Sequence, residues 1–288
     1  MQAIPLADHQ VSFQRDGREI ARYHFGPSLR RPFVFPVIGP AGRSLTRMGH
    51  PHDPEGHSHH NSVWISHNDV GGVSFWADRG ATGRILHQRI ERFEDSDEEA
   101  ALLVTNAWTA PGGKVLLQER RRIGVRPLPN EEWWLIIDVQ LEAQGQDVAL
   151  GKTPFGPVGV RLAKTISVND GGGVIRNSEG AVDEPAILWK RARWVDYSGP
   201  VTPQAIEGIT LMDHPANPNH PSFFHVRRDG WMGASLTLEA PRIIVPGQPL
   251  RLRYGLHVHI GVPSPKAVEA RWEEFAHTAL PDLTTKPK

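Results

Sequence analysis

"LRLRYGLHVHI", residues 250 to 260, alternates without a break. Leu252, Tyr254, Leu256, Val258 and Ile260 fall on one face, and Arg251, Arg253, His257 and His259 on the other. A side-chain period of two belongs to a β-strand, in which successive Cβ atoms point to opposite faces. "WWLIIDVQL" (133 to 141) repeats the pattern with Trp133, Leu135, Ile137, Val139 and Leu141. Around these two segments the chain reads as further strands joined by turns. "ALLVTNAW" (101 to 108) and "KVLLQERRRIGV" (114 to 125) flank the turn "TAPGG", and "QVSFQRDGREIARYHF" (10 to 25) forms a hairpin about Asp16-Gly17. "SLTLEAPRIIVPGQPLRLRYGLHVHI" holds two or three more strands, and "RPFVFPVIGPAGRSLTR" (31 to 47) reads as a strand, a turn and the start of another.

Glycine (28) and proline (25) are spread along the chain as punctuation, which suits many short strands and argues against one linker between two domains. One segment breaks the pattern. In "SPKAVEARWEEFAHTAL" (264 to 280), Val268, Trp272, Phe275 and Ala279 recur at helical spacing, with Ser264 as N-cap and Pro265 at the first helical position. The expected architecture is all-β: a large antiparallel β-sandwich with a C-terminal helix. A single domain spans 1–280 and a flexible tail spans 281–288.

Composition narrows the function classes. The 288 residues carry 32 Lys plus Arg against 32 Asp plus Glu, so there is no basic excess of the kind nucleic-acid binders show. No run approaches the length of a membrane span. Cysteine is absent, which removes disulfides and thiolate chemistry together. No basic segment followed by an apolar run opens the chain, so a cytoplasmic location is expected.

Histidine is the unusual residue. Six of the fifteen lie in "GHPHDPEGHSHHNSVWISHNDVGGVSFW" (49 to 76). His50, His52 and His57 read as loop, being set among prolines and Asp53. His59, His60 and His67 border a short apolar strand, with Trp64 and Trp76 as flat apolar surfaces nearby. Imidazole can ligate a metal or move protons near neutral pH. The supporting carboxylate and His spacing of known metal motifs is missing, so no cofactor is expected. A metal held by His59, His60, His67 and His225 stands as the alternative. A second polar concentration, "TLMDHPANPNHPSFFHVRRDGW" (210 to 231), contains Asp213, His214, His220, His225 and Arg227. A third, "LGKTPFGPVGVRLAK" (150 to 164), offers Lys152 and Arg161 as cations for a carboxylate or an oxyanion. In "RWVDYSGP" (193 to 200), Trp194 and Tyr197 beside Asp196 suit a sugar ring, whose C–H face stacks while its hydroxyls hydrogen-bond.

"RPFVFPVIGPAGRSLTR", "HSHHNSVWISHNDVGGVSFW", "GKTPFGPVGVRLA", "WVDYSG" and "GITLMDHPANPNHPSFFHVR" together resemble, in their order, the bacterial PmoA-family proteins over roughly residues 20 to 262. These are distinct from the membrane-bound methane oxygenase subunit of the same name. The resemblance implies a supersandwich similar to that of galactose mutarotases, and a place in carbohydrate breakdown. It marks His59, His60, His67 and Asp69 in the first motif, and Lys152, Arg161, Asp213, His214 and His225 in later ones. Pro154-Phe155-Gly156-Pro157 stands where such proteins carry an acidic residue after Lys-Thr.

The expected function is therefore a carbohydrate-active enzyme using histidine acid–base catalysis on a small or oxidised sugar, by epimerisation, elimination or glycoside cleavage. His60 and His225 are the expected base and acid, and Lys152 or Arg161 would stabilise charge. His59, His67, Asp69, Asp213, His214 and His259 would position the substrate, and Trp64 or Trp76 would stack on it. The partner is a small-molecule sugar, with neither nucleic acid nor membrane. A His-ligated metalloenzyme and a non-catalytic sugar-binding protein are the alternatives.

Overall fold

The computed structural model describes residues 1–50, 52–53 and 56–284. Of the tail expected over 281–288, residues 285–288 lie outside the described residues, as do Pro51, Pro54 and Glu55 of the histidine-rich loop. Two large antiparallel sheets form a sandwich. In spatial order the first runs Gln2–Leu6, Gln10–Arg15, Arg18–His24, Phe33–Val37, Val63–Ile65, Pro157–Arg161, Trp231–Ser235, Phe223–Arg227 and Lys190–Arg191. The second runs Val174–Asn177, Trp194–Thr202, Ala205–Asp213, Leu250–Ile260, Trp133–Ala143, Val115–Pro127, Ala100–Thr109 and Arg84–Asp95. A two-stranded ribbon pairs Val148–Leu150 with Arg242–Ile244.

The alternation read from the sequence sets the faces. Leu252, Tyr254, Leu256 and Val258 join Leu135, Ile137, Val139 and Leu141 in the core between the sheets. From the first sheet, Val63, Ile65, Val158, Val160, Phe224, Val226, Met232 and Ala234 enter the same core. Truncating one such buried leucine to alanine costs about 2–5 kcal/mol, because the surroundings collapse only partly into the cavity left behind. Ile260, assigned to the inner face with its neighbours, lies at the strand's end and is exposed. The hairpin of residues 10–25 closes at Asp16 and Gly17, both at positive φ, as a two-residue turn matched to the strand twist requires.

The C-terminal helix covers the outer face of the second sheet. It spans Pro265–Ala276, capped by the Ser264 side chain, which accepts a hydrogen bond from the Ala267 N–H. Val268 and Phe275 pack on Trp134, Ile136, Trp194 and Met212. The helix stops short of Ala279, whose carbonyl accepts from Arg253. One smaller reading changes. Residues 44–48 make only isolated bridges to neighbouring segments, not a strand. Val168–Gly171 forms one helical turn, closed by Gly172 in the left-handed conformation. Among the described residues no helix is long and apolar enough to cross a membrane.

Candidate active site

The site lies on the outer face of the first sheet, and strand register builds it. Trp64 pairs with Gly159, Gly159 with Gly233, and Gly233 with His225, making one row across four strands. Two residues along, and so on the same face, Arg161 pairs with Trp231 and Trp231 with Arg227. The two glycines let indoles lie flat on the sheet. A Cβ on Gly159 would sit 2.7 Å from Trp231 Cη2 and 2.8 Å from Trp64 Cζ2, and one on Gly233 would sit 2.9 Å from Trp231 Cζ2.

Over this floor a cavity of about 410 Å³ opens, lined by residues that include His57, His59, His60, Trp76, Phe155, Arg161, His225, Asp229 and Trp231. Arg31 holds the walls together. It is fully buried, and its guanidinium donates to the carbonyls of Phe75, Trp76 and His59 and to the side chains of Asn61 and Asp78. That one side chain ties the loop carrying His59 and His60 to the loop carrying Trp76.

His60 stacks on Trp231, centroids 5.1 Å apart at 19°, with Trp64 at 5.6 Å from His60 and 5.4 Å from Trp231. His225 packs among Trp189 (4.3 Å), Phe155 (5.4 Å) and Trp231 (5.7 Å). Among the described residues neither ring nitrogen of His225 has a partner, and Nδ1 of His60 has none. Burial pulls His225 down to about 3, with Arg227 adding to the effect. Burial, aided by His59 and Arg161, drives His60 far below the ordinary imidazole value. His59 is lowered to about 4, by burial first and Arg31 second. All three are therefore neutral at physiological pH.

Arg161 is also fully buried, but it spends only Nη1, which donates to Asp229 Oδ1 at 2.8 Å. Among the described residues its Nε and Nη2 have no partner. Asp229 Oδ2 meets Nε2 of His50 at 2.8 Å. Nδ1 of His50 accepts the backbone N–H groups of His52 and Asp53, so Nε2 is the nitrogen that donates. Burial alone would raise Asp229, but Arg161 and His50 hold it below the usual carboxylate range.

Of the residues expected from the sequence, His59, His60, Trp76, Arg161 and His225 come together here. The others do not line the cavity. Lys152 is exposed outside it. Trp64 is buried beneath His60 as part of the floor. His67 is committed within the fold: Nδ1 lies 2.9 Å from the Asp69 carbonyl oxygen and Nε2 2.9 Å from Thr237 Oγ1. Asp69 shapes a turn, accepting the Gly72 N–H. Asp213 is buried among Asn217, His220 and the Ser222 N–H. His214 accepts the Ala216 N–H and packs edge-on against Phe275 of the C-terminal helix. His259 meets Asp196 at 2.8 Å on the outer face of the second sheet, across the sandwich from the cavity. Asp196 is fully enclosed with Ser198, Thr210 and Arg176, and Trp194 is buried under the helix, so that segment forms no sugar platform.

His57, Phe155, Asp229 and Trp231 were missed, and His50, read as plain loop, anchors Asp229. Among the described residues no three His, Asp or Glu side chains are grouped so as to hold a metal ion. Of the four histidines in that set, His67 does not line the cavity, and both its ring nitrogens have hydrogen-bond partners within the fold.

No curated protein matches the chain. The family model that matches, over residues 10–273, is not that of the PmoA proteins, and the resemblance is corrected accordingly. The motifs that suggested it are largely strand and turn residues serving the β-framework, such as Val63–Ile65 and the Asp69 turn. By the match over most of its length, the chain belongs to a family of unknown function, DUF6807.

Proposed function

We propose that the chain is an enzyme that uses histidine acid–base chemistry on a small oxidised sugar. The observation that carries this reading is that His60 and His225 line one cavity, both packed against Trp231. A neutral imidazole offers one lone pair and one N–H, so one ring can take a proton and give it up again as imidazolium, while the N–H of the other donates a hydrogen bond. The base removes hydrogen from the carbon beside a carbonyl or carboxyl group. The C–H electron pair moves onto that group as an enolate, whose charge a guanidinium in the same cavity stabilises. Arg161 takes that role, which the exposed Lys152 is not placed to share. Return of the proton to the opposite face gives epimerisation. Loss of a β-oxygen, protonated by the imidazolium formed in the first step, gives elimination.

The volume suits one small ligand, within the roughly 300–1,000 Å³ of small-molecule sites. Trp76 offers an indole surface for the C–H face of a sugar ring. A cysteine-free chain suits the reducing cytoplasm. The test is incubation with hexuronates, aldonates and ketoses in D2O, followed by proton NMR. Deuterium entry beside the carboxyl or carbonyl group, or a new product, is expected. Either should fall about 10²–10⁴-fold in His225→Gln. Binding without exchange or turnover would replace the enzyme by a sugar-binding protein. Neither binding nor conversion would end the carbohydrate reading.

A further inference from the structure

Two fully buried arginines stand at this site, and they differ in one respect. Arg31 has a partner on each of its three nitrogens. Arg161 has one on Nη1 alone, and among the described residues it is the arginine with two buried nitrogens lacking any partner. Those two, Nε and Nη2, form one edge of the planar guanidinium, the edge that grips both oxygens of a carboxylate. Leaving such donors buried and unpaired is costly, and a fold that satisfies Arg31 completely shows that it can avoid the cost.

The free edge is also held in place. Asp229 occupies Nη1 and is itself fixed from the far side by His50. Asp229 thus leaves the guanidinium little freedom to turn. Among the described residues the lining carries Arg161 and Arg227 against the single carboxylate of Asp229, with Arg227 paired to Glu184 outside the cavity. Trp231, the strand partner of Arg161, provides an apolar surface beside this charge.

We infer that the cavity recognises a carboxylate, so that its ligand is a sugar acid, with both carboxylate oxygens received by Nε and Nη2 of Arg161. This rests on reading the cavity as a sugar site, and it names the group by which the sugar is held. It also aligns the chemistry: a carboxylate gripped at Arg161 makes the neighbouring carbon the acidic one.

The experiment compares D-galacturonate and D-glucuronate with their methyl esters and with D-galactose and D-glucose, by calorimetry on the wild-type chain. The uronates should bind about tenfold to a hundredfold more tightly than their esters, the ratio expected for charged hydrogen bonds. Arg161→Lys keeps the charge and loses the fork, and the uronate-to-ester ratio should then fall by about tenfold. Should that variant fail to fold, the ester comparison on the wild type decides alone. Esters or neutral hexoses that bind as well as the uronates overturn the carboxylate claim and leave the sugar reading intact. An undiminished ratio in Arg161→Lys overturns the fork. No binding by any of the six overturns both the inference and the sugar reading.

Discussion

His60 and Trp231 lie face to face, with ring centroids 5.1 Å apart and planes inclined by 19°. The indole also touches His225, Trp64 and Trp76, so one side chain shields both candidate proton-transfer groups from water. Replacing it with alanine should destabilise the fold by about 3–5 kcal/mol. Trp231→Phe, which keeps a ring, should cost less and admit some water. In that variant the histidine signals of His60 and His225 should titrate at higher pH than in the wild type, because desolvation is the leading cause of their depression. Urea denaturation measures the first effect and NMR titration the second. Unchanged titration of both histidines would show that Trp231 does not control their hydration.

The depressed values fix the form of the pH–rate profile. Both histidines act from the neutral form, and His225 takes up a proton only near 3. With a substrate from the panel above, kcat/KM should be flat from about pH 5 to 8 rather than breaking near 6.5, the ordinary imidazole value. An acid limb centred near 6.5 that persists in His225→Gln would assign the essential proton to another group.

Stability should respond to acid in the same range. His59, His67, His87 and His214 are held at about 4 and His225 at about 3, each by burial first. A histidine depressed in the folded state binds more protons when unfolded. Its contribution is therefore complete above about 6.5 and is lost as pH falls toward the folded value. Asp138, raised by burial to about 6, and Glu207, raised for the same reason, act in the opposite sense. The imidazoles outnumber them. Tm should be level from pH 8 to about 6.5 and fall steadily between 6.5 and 4. A Tm that holds constant down to pH 4.5 would contradict the buried, neutral state of these rings.

The sandwich was legible because the signal is local. In Leu250–Ile260 each residue's face follows from its neighbour's, and the structure keeps that assignment through Val258. The site was legible only in part, because it is assembled by register. Trp231 reads as one more core aromatic, and it becomes a floor only because Gly159 and Gly233 lie beside it on neighbouring and own strands. Asp229 precedes a glycine and reads as a turn former. Its role depends on Arg161, 68 residues away, and His50, 179 residues away. Lys152 shows the opposite case, exposed outside the cavity: a lysine at a turn carries no local sign of whether it faces solvent or a cavity.

The outer faces of both sheets use glycine to admit a ring, and this can be tested where no ligand is needed. A Cβ on Gly255 would stand 2.9 Å from Phe275 Cε2, closer than such atoms approach, so either the ring or the C-terminal helix must move. Gly255→Ala should lower stability by about 1–3 kcal/mol, the range for overpacking a well-filled site. Phe275→Leu removes the ring and should cost about 1–3 kcal/mol by itself, since the packing against Trp134 is lost. Combined, the two should cost less than their sum by about 0.5–3 kcal/mol, because the smaller side chain makes room for the added methyl. Urea denaturation of the four proteins in the cycle measures that coupling. Strict additivity would mean that the helix does not sit on Gly255 as described, and the outer face of the second sheet would need another cover for Trp134, Ile136 and Met212.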